Sequence, residues 1–238
     1  MQRLHDGPVG PEKADRFDIP ETGITRADAA AGYVEVVDEP RHYHRFENDW
    51  ARVYDVRFAP GETSLYHRHS VNTLYVTVYD TRVFDQAYGE DGGITHELPS
   101  GLCGCRPHGR EPLIHRVRNE GEGLMQMIGA EHRGSPKLVA EAPLEAPFHT
   151  LVEEPFKGES IRCYQIDLPP GQSTGPMDYQ FSGLLVSLAE ATLSIEDDGV
   201  SRIVSMSPGA FIWHDGPGRR VLRNVGSTRF RAVLGEWR

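Results

Sequence analysis

The chain is poor in cysteine, in basic charge and in long apolar runs, and each shortage excludes a class of protein. Three cysteines in 238 residues, two of them Cys103 and Cys105, are too few for a disulfide framework. Lysine and arginine number 25 against 35 acidic residues, so the net charge of −10 argues against nucleic-acid and membrane-surface roles. The longest strongly apolar run, Leu184 to Ala189, is too short to span a bilayer.

Sequence signals for export and for DNA binding are also missing. The sequence does not open with a basic stretch followed by an apolar one, which argues against a secretory signal. No helix-turn-helix pattern or basic stretch is present, so a role in transcription is not expected. With the low cysteine content, these features predict a soluble, cytoplasmic protein.

Short β-rich runs dominate the chain, and helical periodicity is nearly absent. Val53 to Phe58 is one such run, Leu74 to Tyr79 is another, and Gly, Pro, Asp or Asn separates each run from the next. This texture predicts an all-β sandwich or barrel. Residues 1–40 are rich in Pro, Gly and acids, with one capped helical turn over Thr25 to Ala31, and are predicted to form an N-terminal extension.

An internal repeat divides the rest of the chain. Three segments recur in the same order about 105 to 110 residues later: 58–63 at 168–173, 115–121 at 220–226, and 128–131 at 234–236. Such self-similarity predicts two copies of one β unit. We assign the copies to residues 41–140 and 141–238, joined near the Ala- and Pro-rich segment 140–147.

The first copy carries two histidine motifs. Gly61 is followed after five residues by His67-x-His69, and His115 is followed three residues later by Asn119. Alternate residues of a strand share a face, so His67 and His69 are expected to converge on one point. These motifs resemble those of the cupin superfamily. The resemblance implies a bicupin of two jelly-roll barrels (double-stranded β-helices), with a metal inside at least one.

One ligand of the cupin pattern is missing. Thr73 and Leu74 stand where the resemblance places a glutamate, so it implies an open site of three histidines, His67, His69 and His115. Neutral imidazoles suit one divalent transition metal, with Fe(II) favoured and Zn or Ni as alternatives. Glu111 shares the parity of His115 and is a candidate distant ligand or base, although Pro112 interrupts the strand.

Other residues near the motifs have two interpretations each. Thr73 and Tyr75 share a parity that faces the cavity, either as barrel packing or, for the phenol, as a group aimed at substrate. Cys103 and Cys105 share a strand face, either as buried core or as thiols that line the pocket. The pair His42-x-His44 lacks the preceding glycine spacing and is predicted to lie at the surface or an interface.

The second copy has lost the metal motif. Met177-Asp178-Tyr179 replaces His-x-His and Arg220, which cannot ligate a metal, replaces the later histidine. This barrel is predicted to be a metal-free structural partner that supplies a surface for a possible homodimer. Alternatively, Arg220 binds an anion with Tyr179 and Trp213 nearby. His214, which follows a Pro-Gly turn, is predicted to lie in a loop.

Three functions fit these features. The first is an Fe(II)-dependent dioxygenase that acts on a small molecule at the open three-histidine site, as the resemblance implies for cupins without the glutamate. The second is a Zn- or Ni-dependent lyase, isomerase or hydrolase acting on a polar metabolite. The third is a non-catalytic module that binds a small ligand. The substrate does not follow from the sequence, because fold alone does not give function.

Overall fold

The structure is a computed structural model that describes residues 4–5, 32–135, 141–152 and 160–238. The described residues form an all-β protein with one short 3₁₀ helix, Val36–Asp38, which confirms the predicted fold class. None of them forms a helix with the length and apolar character needed to cross a bilayer. The helical turn predicted at Thr25 to Ala31 lies outside the described residues.

Strands β1 to β11 precede the junction between the two repeats. Their bounds are β1 Leu4–His5, β2 Val34–Glu35, β3 His42–Glu47, β4 Ala51–Phe58, β5 His67–His69, β6 Thr73–Thr77, β7 Thr81–Ala87, β8 Ile94–Leu98, β9 Cys103–Arg106, β10 Leu113–Asn119 and β11 Met125–His132. Strands β2 to β11 form two five-stranded sheets, ordered β2-β5-β10-β7-β8 and β3-β4-β11-β6-β9. These sheets make up the first barrel.

Strands β12 to β20 repeat this arrangement. Their bounds are β12 His149–Leu151, β13 Ile161–Leu168, β14 Met177–Tyr179, β15 Gly183–Ser187, β16 Ala191–Asp197, β17 Val200–Met206, β18 Phe211–His214, β19 Gly218–Asn224 and β20 Phe230–Trp237. They form sheets ordered β12-β13-β20-β15-β18 and β14-β19-β16-β17, with β1 added beside β18. Strand for strand, this second barrel matches β3 to β11 of the first, as the sequence repeat predicts.

The residues shared by the two repeats hold the same turn in each barrel. Gly61 and Gly171 have φ of +80° and +75°, which glycine adopts without strain, and each donates its N–H to the backbone of an asparagine at 2.9 Å. Those asparagines, Asn119 and Asn224, each donate to two backbone carbonyls at 2.8 to 3.0 Å. The glycine and asparagine of the motif are therefore structural, which explains why both persist in the second copy without the histidines.

The two barrels share one hydrophobic core. Buried side chains of β4, β6, β9 and β11 pack with those of β13, β15, β18 and β20. Trp237 is fully buried there, and its indole N–H donates to the carbonyl oxygen of Trp50 at 3.0 Å, across the boundary between the repeats. A second core fills the interior of the second barrel. Apolar burial of this extent is the main stabilising contribution to such a pair.

The last residues of the predicted extension are attached to the first barrel. Strand β2 pairs in parallel with β5, placing Val34 beside His67, and the side chain of Glu39 is fully buried. In the described part of residues 1–40, segment 34–40 thus belongs to the barrel and not to a separate arm. The assignment of the two repeats to residues 41–140 and 141–238 stays a prediction.

Candidate metal centre

Two strands, β5 and β10, bring the predicted histidines together inside the first barrel. His67 and His69 lie at the two ends of β5, are both buried, and share a face as their spacing predicts. His115 on β10 is the register partner of His67 on β5. The ring centroid of His67 lies 4.8 Å from that of His69 and 4.7 Å from that of His115, and the last two are 5.2 Å apart.

Hydrogen bonds at Nδ1 orient two of these rings. His67 Nδ1 lies 2.9 Å from the carbonyl oxygen of Leu65, and His115 Nδ1 lies 2.9 Å from a carboxylate oxygen of Asp85. Each acceptor calls for a proton on Nδ1, which leaves the lone pair on Nε2. His67 Nε2 is buried with no hydrogen-bond partner among the described residues. Such a nitrogen, next to two other imidazoles, fits a metal ligand.

A fourth histidine joins the cluster, and here the sequence-based prediction is wrong. His42, predicted at the surface or an interface, is buried, with its ring centroid 4.6 Å from that of His67 and 6.1 Å from that of His69. The candidate ligand atoms of His42, His67 and His69 all lie within 4.8 Å of one another. His44 points outward, as predicted, and pairs with Glu47 at 3.3 Å. The β3–β4 pairing turns alternate residues inward, and spacing alone did not reveal which ones.

Tyr75 and a fifth histidine extend the cluster. The Tyr75 hydroxyl lies 3.1 Å from His69 Nδ1 and 3.2 Å from His108 Nε2, and His108 Nδ1 lies 3.4 Å from the carbonyl oxygen of Glu111. A consistent assignment has His69 Nδ1–H donating to the phenol and the phenol donating to His108. The sequence prediction assigned no role to His108, which falls in the turn before β10.

Burial favours the neutral form of His67, His69, His108 and Tyr75. Desolvation lowers the pKa of His67 and His69 well below the usual histidine value, and neighbouring imidazoles add to the shift. Desolvation also lowers the pKa of His108 to about 4 and raises that of Tyr75. A neutral imidazole keeps the lone pair that a metal needs, so the site is poised to bind a cation without first losing protons.

The histidines open onto a cavity of about 460 Å³ inside the barrel. Its other walls are largely apolar, formed by Val56, Val83, Leu98, Leu102, Leu113, Val117, Met125 and Met127. Asp85, His96 and Arg106 add polar groups. A mostly apolar cavity with a few convergent polar groups is typical of a site for a small molecule.

The remaining predicted pocket residues divide between the cavity and the core. Tyr75 lines the cavity, whereas Thr73 is buried with its hydroxyl donating to the carbonyl oxygen of Val71 at 2.7 Å. Cys103 and Cys105 lie in the core shared by the barrels, with Cys103 also at the cavity wall. Glu111 is solvent-exposed and does not line the cavity, which contradicts its prediction as an inward ligand or base.

Comparisons with known proteins identify the fold. No family model matches the sequence, and no curated protein matches it. Among solved structures, salicylate 1,2-dioxygenase from Pseudaminobacter salicylatoxidans superposes with a TM-score of 0.56 and 15% identity, over 79% of this chain and 71% of that one. AerE from Microcystis aeruginosa superposes with a TM-score of 0.55 and 10% identity, over 83% of this chain and 91% of that one.

The chain has the cupin fold. The resemblance seen in its histidine motifs is confirmed at the level of the fold. A variant of the salicylate dioxygenase in complex with gentisate also superposes, with a TM-score of 0.56 and 14% identity over 79% of this chain and 69% of that one.

The second cupin barrel has an ion pair where the first has imidazoles. Arg220 is the register partner of Met177, as His115 is of His67. Its guanidinium pairs with Asp197 and lies 5.3 Å above the centroid of the Tyr179 ring. The same carboxylate lies 3.6 Å from the guanidinium of Arg202, and the anion site at Arg220 stays a prediction. Trp213 packs in the core shared by the barrels.

His214 also differs from its prediction. It is the last residue of β18, not part of a loop, and it is buried beside Tyr179 and Phe181, at 5.2 and 5.6 Å between ring centroids. Burial lowers its pKa well below the usual range, and Arg220 lowers it further. Both of its ring nitrogens are buried without a hydrogen-bond partner among the described residues.

Proposed function

We propose that the protein is a metal-dependent dioxygenase that acts on a small molecule in the cavity of the first barrel. The observation that carries the proposal is the buried Nε2 of His67, which has no hydrogen-bond partner among the described residues and lies within a cluster of imidazoles that opens onto that cavity. The shared fold with salicylate 1,2-dioxygenase supports it.

In this proposal His67, His69 and His115 hold one divalent transition metal. The all-imidazole donor set suits Fe(II), Zn or Ni, and Fe(II) is favoured because it can supply electrons for dioxygen chemistry. Asp85 holds the His115 ring through Nδ1, and the carbonyl of Leu65 does the same for His67. Three protein ligands leave coordination positions open, which a catalytic metal requires.

The walls of the cavity suggest the substrate class. Leu98, Val117 and Met127 offer an apolar surface suited to an aromatic ring, and Arg106 brings a permanent positive charge to the same cavity. Salicylate 1,2-dioxygenase, which shares this fold, is named for its action on salicylate, and a variant of it has been solved in complex with gentisate. We therefore propose an aromatic hydroxy acid, with the ring against the apolar wall and the carboxylate near Arg106.

The test is oxygen consumption by reconstituted protein. The protein is purified without chelators or added metal, analysed for metal, loaded anaerobically with Fe(II), and assayed for O2 uptake with salicylate, gentisate, diketones and thiols. We expect uptake that matches substrate loss, its abolition in His67→Ala, and wild-type uptake in His44→Ala, whose side chain lies outside the cluster.

Two results would contradict the proposal. Stoichiometric, redox-active iron without uptake for any substrate would count against dioxygenase chemistry. Native protein that holds zinc and converts a polar metabolite without O2 would favour a Lewis-acid enzyme.

A further inference from the structure

The segment just before β3 presents a second carboxylate–imidazole pair to the metal centre. Glu39 follows the 3₁₀ helix Val36–Asp38, and His42 begins β3. One carboxylate oxygen of Glu39 lies 2.7 Å from Nδ1 of His42. Neither residue belongs to the two histidine motifs, and both precede them in the chain.

The position of Glu39 is fixed from several sides. Its side chain is fully buried and accepts hydrogen bonds from the backbone N–H groups of Arg41 at 2.7 Å and Leu65 at 3.3 Å. Leu65 is also the residue whose carbonyl holds His67. One carboxylate thus links the strand of His42 to the segment before β5 that orients His67.

Burying a carboxylate is destabilising unless the carboxylate is paired and hydrogen-bonded. Glu39 accepts a hydrogen bond from His42 Nδ1, which orients the ring and makes Nε2 more basic. Asp85 makes the same contact with His115 at 2.9 Å. Carboxylates on Nδ1 of metal-ligating histidines recur in metalloproteins, so the repeated arrangement points to a ligand role for both rings.

We infer that His42 is a further protein ligand of the metal, held in place by Glu39. The inference rests on the proposed metal site. The candidate ligand atom of His42 lies within 4.8 Å of the corresponding atoms of His67 and His69. The His42 imidazole takes the place of the carboxylate that the first motif lacks at Thr73, but from a different strand. The carboxylate of Glu39 contacts His42 Nδ1 and also lies 3.7 Å from the guanidinium of Arg41.

The test measures metal binding directly, independently of turnover. Wild type, His42→Ala, Glu39→Gln and the control His44→Ala are titrated anaerobically with Fe(II), and with Co(II) as a spectroscopic substitute, against a chelator of known affinity. His44 is a matched control, because it lies two residues away on the same strand with its side chain half exposed.

We expect Glu39→Gln to weaken metal affinity by about 10- to 100-fold, as for loss of other partners of ligating histidines. His42→Ala should lose at least as much and change the visible spectrum of bound Co(II), whereas His44→Ala should match wild type in both. Thermal unfolding of the metal-free variants shows whether each one folds.

The outcomes separate this inference from the proposed function. If wild type binds no metal, the proposed function fails. If wild type binds metal while folded His42→Ala matches it in affinity and Co(II) spectrum, only the role of His42 is wrong. Should His42→Ala not fold, Glu39→Gln decides, because it retains the imidazole: unchanged affinity and spectrum would overturn the inference.

Discussion

Asp85 offers the sharpest test of whether His115 is a ligand. Its carboxylate accepts from His115 Nδ1 at 2.9 Å, and its side chain is 32% exposed. Removing such a partner weakens metal affinity by about 10- to 100-fold, or about 1.4 to 2.7 kcal/mol. Because solvent already screens part of the Asp85 charge, we expect the loss of metal affinity in Asp85→Ala to lie near the lower limit of this range. The loss in Asp85→Asn should be smaller, because the amide oxygen can still accept the hydrogen bond.

The assay is competition with a chromophoric chelator under anaerobic conditions. Asp197→Asn is the matched control, since Asp197 pairs with the residue that stands in place of His115 in the second barrel, and it should bind metal as wild type does. Wild-type affinity in a folded Asp85→Ala would refute the reasoning. The ligands would then be His42, His67 and His69, whose ligand atoms already lie within 4.8 Å of one another.

Three further outcomes concern residues that are not proposed metal ligands. Tyr75→Phe removes the hydroxyl shared by two buried imidazoles and should cost about 1 to 3 kcal/mol in urea unfolding of the metal-free protein; an unchanged midpoint would contradict the bridge. Asn119→Ala and Asn224→Ala should each cost about 2 to 3 kcal/mol by the same assay, because each leaves two carbonyls without a donor; unequal losses would contradict their equivalence. Burial raises the pKa of Glu236, so its carboxyl group stays protonated to higher pH in the folded chain than in the unfolded chain. This difference stabilises the fold at low pH, and the contribution is lost as pH rises above the ordinary carboxyl pKa of 4.5. Glu236→Gln should flatten that fall in thermal unfolding, and an unchanged slope would contradict the assignment.

The sequence was informative where local spacing decides geometry. His67 and His69 share a strand face by parity, and the repeated glycine and asparagine predicted the second barrel before any strand pairing was known. The register between strands could not be predicted in the same way. His42 faces inward because of how β3 pairs with β4, and no local sequence pattern specifies that pairing.

A signal for His42 was nevertheless present. Glu39 lies three residues before it, and a carboxylate so placed can hold an imidazole. By contrast, the repeat places Arg220 at the position of His115, but the ion pair of Arg220 with Asp197 depends on the pairing of β16 with β19. The sequence shows which side chain stands at each position, whereas the partners of a charged side chain such as Arg220 come from other strands and require the structure.

The shared core around Trp237 bears on assembly. A lone barrel with an apolar sheet face would have to cover it with a second copy of itself, and here the second repeat covers that face within one chain. The chain is in this sense an internal dimer, whose halves have been free to diverge because each is always supplied with its partner. Any association between whole chains must therefore use a different surface. One half can therefore hold an ion pair where the other holds imidazoles and still cover its partner.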